Sequence, residues 1–402
     1  MEIAFYTDSY EPMHDGVASV TAGLARTLVS QGHVVRVYAP DVRVGAASRE
    51  SVEEGVWVRR VRSVPVPLYS QYRWPVFPFD LIRGAHGARD ADVVHLHSPG
   101  AVGSMGFLTA RRFGLPLVGT FHTNIHEMAS SVPRKLLVPL FFRIAWWYNL
   151  GTYYRCDVAT APSEAARDAL ERFARKPFRR RVEVVPNGVD VQRFHPGVAV
   201  PDWKLRCGLP SAPLVTYLGR LTVDKGVHRF LDAVSEAART HDLVGIVGGT
   251  GPEEAAVRAR LADDPALHAR VRYVGPVAEA EKAALLGQTD VFVLPSTSDT
   301  SSVALLEAMA CGTAVVTPAT GGAAEVVDDR RTGVRANVLS SSELASALVE
   351  LLERSPERRR IGAQATAWVR DHASLESVAL RFISLYRMLG EERSSRAHRF
   401  AP

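Results

Sequence analysis

The sequence predicts an α/β protein of two domains, each built on a largely parallel sheet with flanking helices. Its 402 residues exceed the roughly 100–200 of a single domain. Short, almost wholly apolar segments alternate with longer segments of helical periodicity, which is typical of parallel strands covered on both faces. The alternation stops at Pro201–Pro213, a stretch with three prolines, and then starts again.

This alternation predicts the individual elements. The candidate strands are Ile3–Tyr6, Val34–Tyr38, Val56–Val61, Val93–His97, Leu117–Thr120, Val158–Ala161, Val182–Val185, Leu214–Leu218, Leu243–Val247, Val271–Val274, Val291–Leu294 and Ala314–Thr317. The candidate helices are Val17–Gln31, Pro162–Phe173, Gly226–Arg239, Pro252–Ala262, Ala278–Leu286, Ser302–Ala310, Ser342–Glu353, Arg358–Asp371 and Leu375–Leu389. We therefore expect Rossmann-like domains at 1–200 and 201–371, a helix at about 372–390 and a flexible, Arg-rich tail at 391–402.

Composition limits the classes of function. A hydrophobic fraction of 47% and a charged fraction of 23% are average for folded proteins, and the formal net charge of +5 is modest. Basic residues are dense only in Arg175–Arg181. That run is either a solvated loop or a surface for an anionic membrane or an acidic substrate. No nucleic-acid-binding module is indicated.

Cysteines and apolar segments indicate the compartment. Cys156, Cys207 and Cys311 are far apart and lack metal-ligand spacing, so we expect reduced thiols in a cytoplasmic protein. The chain starts with an apolar strand, so no signal peptide is expected. The longest apolar stretch, Leu136–Leu150, is interrupted by Arg143 and predicts no membrane span, although peripheral contact with a membrane stays open.

Two cations follow the first strand of the second half. In Tyr217–Val227 a strand ends at Leu218, Gly219 permits a tight turn, and Arg220 and Lys225 precede a helix. Cations at the carboxyl edge of a parallel sheet, near a helix amino terminus, suit a diphosphate. The alternative is a pair of surface cations on either side of a turn.

A second stretch, Leu294–Gly312, also leaves a strand, forms a loop of small residues and enters a helix. Small residues let a ligand approach the backbone. Asp299 is either an N-cap residue or a catalytic group. Glu307 lies in an apolar helical run, either on an exposed stripe or placed to accept hydrogen bonds from hydroxyls.

Together these two stretches resemble the donor-site signatures of retaining glycosyltransferase family 4, which has the GT-B fold. The resemblance implies two facing Rossmann-like domains with a carboxyl-terminal helix that returns to the first domain. It also implies that Arg220 and Lys225 hold the donor phosphates, that Asp299 contacts the donor sugar and that Glu307 contacts the ribose hydroxyls. It covers nearly the whole chain and continues through Asp8–Val17, Val185–Asp190, Arg193–Phe194, Gly248–Pro252 and Thr317–Glu325.

The resemblance also implies the remaining site residues. His122 resembles the histidine that lies beside the reacting carbon, although a lone histidine at a strand end is also commonly structural. His14, His97 and His126 are lesser candidates, and no metal site or cofactor is expected. The implied catalytic residues are His122, Asp299, Arg220 and Lys225. The implied donor-binding residues are Gly16, Arg220, Lys225, Gly249, Asp299, Thr300, Ser301, Ser302, Val303 and Glu307.

One departure concerns the donor sugar. Relatives usually carry an aromatic–glycine pair after the first acid, where this chain has Thr300, Ser301 and Ser302. Aromatic residues in Leu68–Phe79 and Trp146–Tyr148 either pack in the core or form a surface for a lipid acceptor.

The implied reaction is metal-independent transfer of a hexose-type sugar, with retention, from a UDP- or GDP-linked donor to a hydroxyl acceptor. The acceptor would be a lipid or phosphoinositide precursor at the inner face of a bacterial membrane, or a small molecule of a specialised pathway. A nucleotide-sugar epimerase or phosphorylase and a non-catalytic sugar-nucleotide binder are the alternatives.

Overall fold

A computed structural model describes residues 1–13, 15–42, 49–66, 69–75, 88–122, 138–172, 174, 177–198, 204 and 207–399. By its internal contacts the chain forms two compact units. The first unit is Met1–Gly188 together with Leu375–Pro402, and the second unit is Val189–Ser374. The boundary therefore lies at Gly188, whereas the sequence pattern placed it after residue 200.

The first unit is built on an eight-stranded sheet of order β10-β9-β8-β7-β1-β2-β4-β3. Its pairs are parallel except β3 with β4, and β5 and β6 form a separate antiparallel pair. The strands are β1 (Glu2–Tyr6), β2 (Val34–Pro40), β3 (Glu50–Glu53), β4 (Val56–Val61), β5 (Ser63–Val66), β6 (Tyr69–Pro75), β7 (Val93–Leu96), β8 (Leu117–Thr120), β9 (Val158–Ala161) and β10 (Glu183–Val184). The helices are α1 (Gly16–Ser30), α2 (Ala101–Phe113), α3 (Val138–Tyr153) and α4 (Glu164–Arg172).

The second unit has a six-stranded parallel sheet of order β13-β12-β11-β14-β15-β16. Its strands are β11 (Leu214–Leu218), β12 (Val244–Gly248), β13 (Val271–Gly275), β14 (Val291–Val293), β15 (Ala314–Pro318) and β16 (Val334–Ala336). Its helices are α5 (Val227–Ala237), α6 (Glu254–Asp263), α7 (Pro265–Arg270), α8 (Glu279–Gln288), α9 (Val303–Ala310), α10 (Gly322–Glu325), α11 (Ser341–Glu353) and α12 (Ser355–His372). The prediction of α/β structure with parallel sheets is confirmed.

The last helix, α13 (Leu375–Arg399), belongs to the first unit. Its apolar side chains join the core formed by β1, β2 and α1, as the resemblance implied. The contributing residues are Val378, Ala379, Phe382, Ile383, Tyr386 and Leu389. The expectation of a flexible tail at 391–402 is wrong for residues 391–399, because the helix continues to Arg399, and residues 400–402 lie outside the described residues. Glu392 of this extension forms an ion pair with Arg180, and the guanidinium of Arg393 donates to the carbonyl of Phe113.

The basic and aromatic segments divide between core and surface. In the basic run, Arg179 forms an ion pair with Asp157, and Arg175 and Lys176 lie outside the described residues. Trp146 packs edge-on against Phe121 in the core, whereas Trp147 and Tyr148 are exposed. His14, His126 and the side chains of Leu68–Phe79, apart from Arg73, also lie outside what the structure describes. No helix within the described ranges is long and apolar enough to cross a membrane.

Candidate active site

The candidate site of the second unit lies where the strand order reverses. From β11 the chain continues to β12 and β13 on one side, and from β14 to β15 and β16 on the other. In open parallel sheets, ligands bind outside the carboxyl ends of the strands at such a switch point. The loops with Arg220 and Lys225 (after β11) and with Asp299 to Ser302 (after β14) leave these two adjacent strands. The fold therefore brings the two sequence signatures together.

An ion pair joins these two loops. The ammonium of Lys225 lies 3.0 Å from Oδ2 of Asp299 and donates to the carbonyl of Ser298 at 2.8 Å. Both side chains are largely buried, with exposed fractions of 17% and 13%. A hydrogen bond from the Ser298 hydroxyl to Asp224 adds a second link. The cation and the acid predicted from separate motifs thus form one charged pair.

Arg220 differs from Lys225 in its exposure and in its partners. Its side chain is exposed, and among the described residues its guanidinium has no hydrogen-bond or ion-pair partner. Nearby, burial opposes ionisation of Asp224, but the hydrogen bond from Ser298 and the charges of Lys225 and Arg220 act in the opposite direction, and the pKa of Asp224 is lowered. The loop therefore carries a fixed negative charge, and Arg220 offers donors to an external anion.

Two glycines allow close backbone packing at this edge. Gly226 has φ of 75°, and a Cβ there would lie 2.2 Å from the carbonyl oxygen of Pro295. Gly249 has φ of 131°, and its Cβ would lie 1.9 Å from the carbonyl oxygen of Gly219. Both positions therefore require glycine. Gly249, a predicted donor-binding residue, is held against the turn that leads into Arg220.

The N-cap of α9 is Ser302, whose hydroxyl accepts from the backbone N–H of Leu305. This excludes the side chain of Asp299 as the cap and leaves it to pair with Lys225. Val303 is the first residue of the helix, and Ser301 is buried. The loop before the helix is tightly packed, since a Cβ on Gly322 would lie 2.1 Å from the carbonyl oxygen of Thr300.

Glu307 lies on the second turn of α9 and is only 3% exposed, so the interpretation as part of an exposed stripe is wrong. Its Oε1 lies 3.0 Å from the ammonium of Lys282 on α8. Its Oε2 is buried and has no hydrogen-bond partner among the described residues. Burial raises the pKa of the Glu307 carboxyl, and Lys282 acts in the opposite direction. The sequence did not indicate Lys282, because nothing in its own segment links it to the motif.

In the first unit, Gly16 is the first residue of α1, directly after the loop that follows β1. Asp15 is the N-cap of this helix and accepts from the N–H groups of Val17 and Ala18 at 2.9 Å. Asp8 lies on the same loop and accepts from Ser98 and from the N–H of Val102 at the start of α2. Burial raises the pKa of Asp8 although these hydrogen bonds oppose it. Sequence reasoning had not singled out Asp8.

His122 follows β8 and stacks on His97, with its Nε2 3.2 Å from Nδ1 of His97. Burial lowers the pKa of His122 to about 4, although a hydrogen bond with Asn187 acts in the opposite direction. Burial also lowers the pKa values of His97 and His95. All three imidazoles are therefore neutral at pH 7, and His95 is held by Tyr386 and Thr120.

No cluster of three or more metal-ligating side chains occurs among the described residues. The groups that could bind a ligand at the switch point are thus Arg220, Lys225 and Asp299 with the amino terminus of α9. Cations, a carboxylate and a helix amino terminus are groups that can bind anions and hydroxyl groups, which are the polar groups of a phosphorylated sugar.

Comparison with known proteins gives the class and then the family. The fold and the matched regions define a glycosyltransferase with the GT-B fold. Residues 14–193 match the description "Glycosyltransferase Family 4", and residues 212–354 match "Glycosyl transferases group 1". The chain belongs to glycosyltransferase family 4. The recognition made from the sequence motifs is confirmed.

Curated relatives act on nucleotide sugars and lipids. The chain is 31% identical over 335 residues to a GDP-mannose-dependent alpha-mannosyltransferase of Mycobacterium tuberculosis, covering 83% of each chain. It is 30% identical over 371 residues to a phosphatidyl-myo-inositol mannosyltransferase of Mycobacterium tuberculosis, covering 88% of each. It is 25% identical to an alpha-monoglucosyldiacylglycerol synthase of Streptococcus pneumoniae, covering 89% of this chain and 79% of the relative.

Solved structures support the fold. A sucrose-phosphate synthase of Thermosynechococcus elongatus superposes with a TM-score of 0.77 at 20% identity, covering 97% of this chain and 99% of the other. The Anabaena protein HepE, solved with UDP-glucose, gives 0.74 at 18% identity, with coverage of 98% and 100%. The GT-B assignment is confirmed.

Proposed function

We propose that the chain transfers a hexose-type sugar, with retention of anomeric configuration, from a nucleoside-diphosphate sugar to a hydroxyl acceptor. The observation that carries the proposal is the meeting of Arg220, Lys225 and Asp299 at the switch point of the second unit. There two cations lie at the carboxyl edge of the sheet, next to a carboxylate and the start of α9.

Each residue has a separate role in this proposal. When the glycosidic bond breaks, negative charge develops on the diphosphate, and the guanidinium of Arg220 and the ammonium of Lys225 stabilise it. Asp299 is held in place by Lys225 and accepts a hydrogen bond from a sugar hydroxyl. The two cations neutralise the leaving group, so we expect activity without a divalent metal. His122 is neutral at pH 7, which suits hydrogen bonding to the sugar more than charge stabilisation.

The relatives suggest which substrates to test first. Of the three relatives reported above, one is named for GDP-mannose-dependent transfer, and the names of the other two contain the lipids phosphatidyl-myo-inositol and diacylglycerol. We therefore propose GDP-mannose as the first donor to test, a membrane lipid headgroup as the acceptor, and peripheral membrane contact during transfer.

The test is a transfer assay with the purified full-length chain. GDP-mannose and UDP-glucose are each supplied with vesicles containing phosphatidylinositol or diacylglycerol, in the presence of EDTA. The expected product is a lipid with one added hexose, whose anomeric configuration by NMR matches that of the donor. An inverted product would contradict retention, and interconversion of the donor without transfer would instead show an epimerase. Loss of activity in EDTA would contradict metal independence.

A further inference from the structure

A charged cluster surrounds Glu307, the residue that the resemblance assigns to the ribose hydroxyls. Lys282 on α8 lies between two carboxylates, 3.0 Å from Oε1 of Glu307 and 2.7 Å from Oε1 of Glu279. Arg193 forms a further ion pair with Glu279 at 3.4 Å. The Lys282 ammonium also lies 5.9 Å from the centre of the Phe194 ring. Among the described residues, the hydrogen bond to the Glu307 carboxylate comes from Lys282 and reaches only Oε1.

The two oxygens of Glu307 are in different situations. Oε1 is satisfied by Lys282, whereas Oε2 is buried without a partner among the described residues. A buried acceptor that lacks a hydrogen bond is costly, and a buried carboxylate without a counter-charge takes up a proton instead. A ligand hydroxyl would supply the missing hydrogen bond to Oε2, but only an ionised Glu307 accepts it with full strength.

We propose that Lys282 is a positioning residue of the donor site, which keeps Glu307 ionised and oriented so that its second oxygen accepts from the ribose of the nucleotide. The proposal rests on the proposed function, because it needs a nucleotide donor. In this proposal Lys282 acts through Glu307 and not through a contact of its own with the ligand.

The other titratable groups near Glu307 support this arrangement. Glu279, also on α8, raises the pKa of Glu307, and Arg193 lowers it. Cys311, at the end of α9, stays a neutral thiol because burial and Glu307 raise its pKa to about 12. The hydroxyl of Thr366 on α12 donates a hydrogen bond shared between the carbonyl oxygens of Met309 and Ala310. Lys282 is therefore the counter-charge in hydrogen-bond contact with Glu307.

The loss of the Lys282 charge determines how the binding of GDP depends on pH. Lys282→Met removes the charge that opposes the effect of burial, so the pKa of Glu307 rises further and a larger fraction of the carboxyl is protonated at neutral pH. The dissociation constant of GDP at pH 7 should then increase about tenfold or more, the range for a hydrogen bond to a charged group. The affinity of Lys282→Met for GDP should recover as the pH rises and Glu307 ionises. Lys282→Arg keeps the charge and should bind GDP as the wild type does at each pH.

A second readout isolates the ribose contact. The wild type should bind GDP more tightly than 2′,3′-dideoxy-GDP, and Lys282→Met at pH 7 should lose most of this discrimination. The matched control is Lys204→Met, which removes another lysine–carboxylate pair of the second unit, with Asp290 at 3.4 Å. This control should keep the discrimination and the pH profile of the wild type.

The experiment is calorimetric titration of the full-length variants with GDP and 2′,3′-dideoxy-GDP between pH 6 and 9, with circular dichroism to verify folding. If the wild type binds UDP instead of GDP, UDP and 2′,3′-dideoxy-UDP replace this pair of nucleotides. Should Lys282→Met not fold, the double variant Lys282→Met/Glu307→Gln replaces the pair with neutral groups and should show weak, pH-independent binding of GDP. The proposal would be overturned if Lys282→Met discriminated between GDP and 2′,3′-dideoxy-GDP, and depended on pH, as the wild type does. It would also be overturned if Lys282→Arg lacked the discrimination and the pH profile of the wild type. A wild type that binds neither GDP nor UDP would instead contradict the proposed function itself.

Discussion

Replacement of Asp299 by asparagine separates the two roles that this residue could have. The structure assigns the cap of α9 to Ser302, so Asp299→Asn leaves the cap of the helix intact. The substitution keeps the shape of the side chain and an oxygen that can accept from Lys225, but it removes the negative charge 3.0 Å from the ammonium. The perturbation is therefore electrostatic.

The expected magnitudes follow from this geometry. A hydrogen bond to a charged group contributes about 1.5–3 kcal/mol. If Asp299 accepts such a bond from the donor sugar, turnover should fall about tenfold or more, since about 1.4 kcal/mol corresponds to tenfold in rate. Affinity for GDP alone should not decrease, because Lys225 loses a carboxylate that competes with the phosphates. The loss of folding free energy should stay below the 3–5 kcal/mol typical of breaking a fully buried ion pair, as both side chains remain partly exposed.

The assay combines steady-state transfer kinetics with calorimetric titration of GDP. The matched control is Asp264→Asn, which alters an aspartate of the second unit that does cap a helix, accepting from the N–H of Leu267 at 3.0 Å. Asparagine caps about as well as aspartate, so this control should retain wild-type turnover. Full turnover of Asp299→Asn with every donor that binds would refute contact with the sugar.

The remaining predictions concern the two cations, His122 and the last helix. Arg220→Ala and Lys225→Ala should each lower kcat by about 10²–10³, the effect of removing one preorganised charge-stabilising group, and near-normal turnover in both would contradict their role. His122→Ala should reduce turnover strongly while the Kd of GDP stays within a few-fold, whereas lost thermal stability with unchanged turnover would indicate a structural role. Because the pKa of His122 is lowered to about 4, the unfolded chain binds a proton between pH 6.5 and 4 that the folded chain does not bind. The Tm of the wild type should therefore fall as the pH is lowered from 6.5 to 4. It should fall less in His122→Asn, which lacks this titrating group. Deletion of Leu375–Leu389 should expose the apolar face of α13 and cause aggregation, and a soluble, fully active truncation would contradict this.

The sequence predicts most of the fold because its strands are buried on both faces and so read as apolar runs. The helix over Ala101–Phe113 was missed, since its first residues are small and carry little periodic signal. The edge strand Glu50–Glu53 was missed because it is polar and half-exposed. The tail at 391–402 was expected to be flexible because it is polar and Arg-rich, yet residues 391–399 continue α13 and Glu392 forms an ion pair with Arg180.

The candidate site was predictable where chemistry follows a strand end directly, as for Arg220 and Lys225. It was not predictable where partners come from distant segments. Lys282 reaches Glu307 from α8, and His97 reaches His122 from the neighbouring strand. The role of Asp299 also depended on three-dimensional contacts. The sequence alone does not show whether Asp299 or Ser302, three residues further on, caps α9.

The central claim is that Arg220 and Lys225 hold the diphosphate of the donor, and affinity for diphosphate relative to monophosphate tests it most directly. The measurement is calorimetric titration of the full-length wild type and of Arg220→Ala/Lys225→Ala with GDP and GMP, repeated with UDP and UMP. We expect the wild type to bind the diphosphate of one base more tightly than its monophosphate, and the double variant to lose this preference while still binding the monophosphate. A double variant that prefers the diphosphate as strongly as the wild type does would contradict the account.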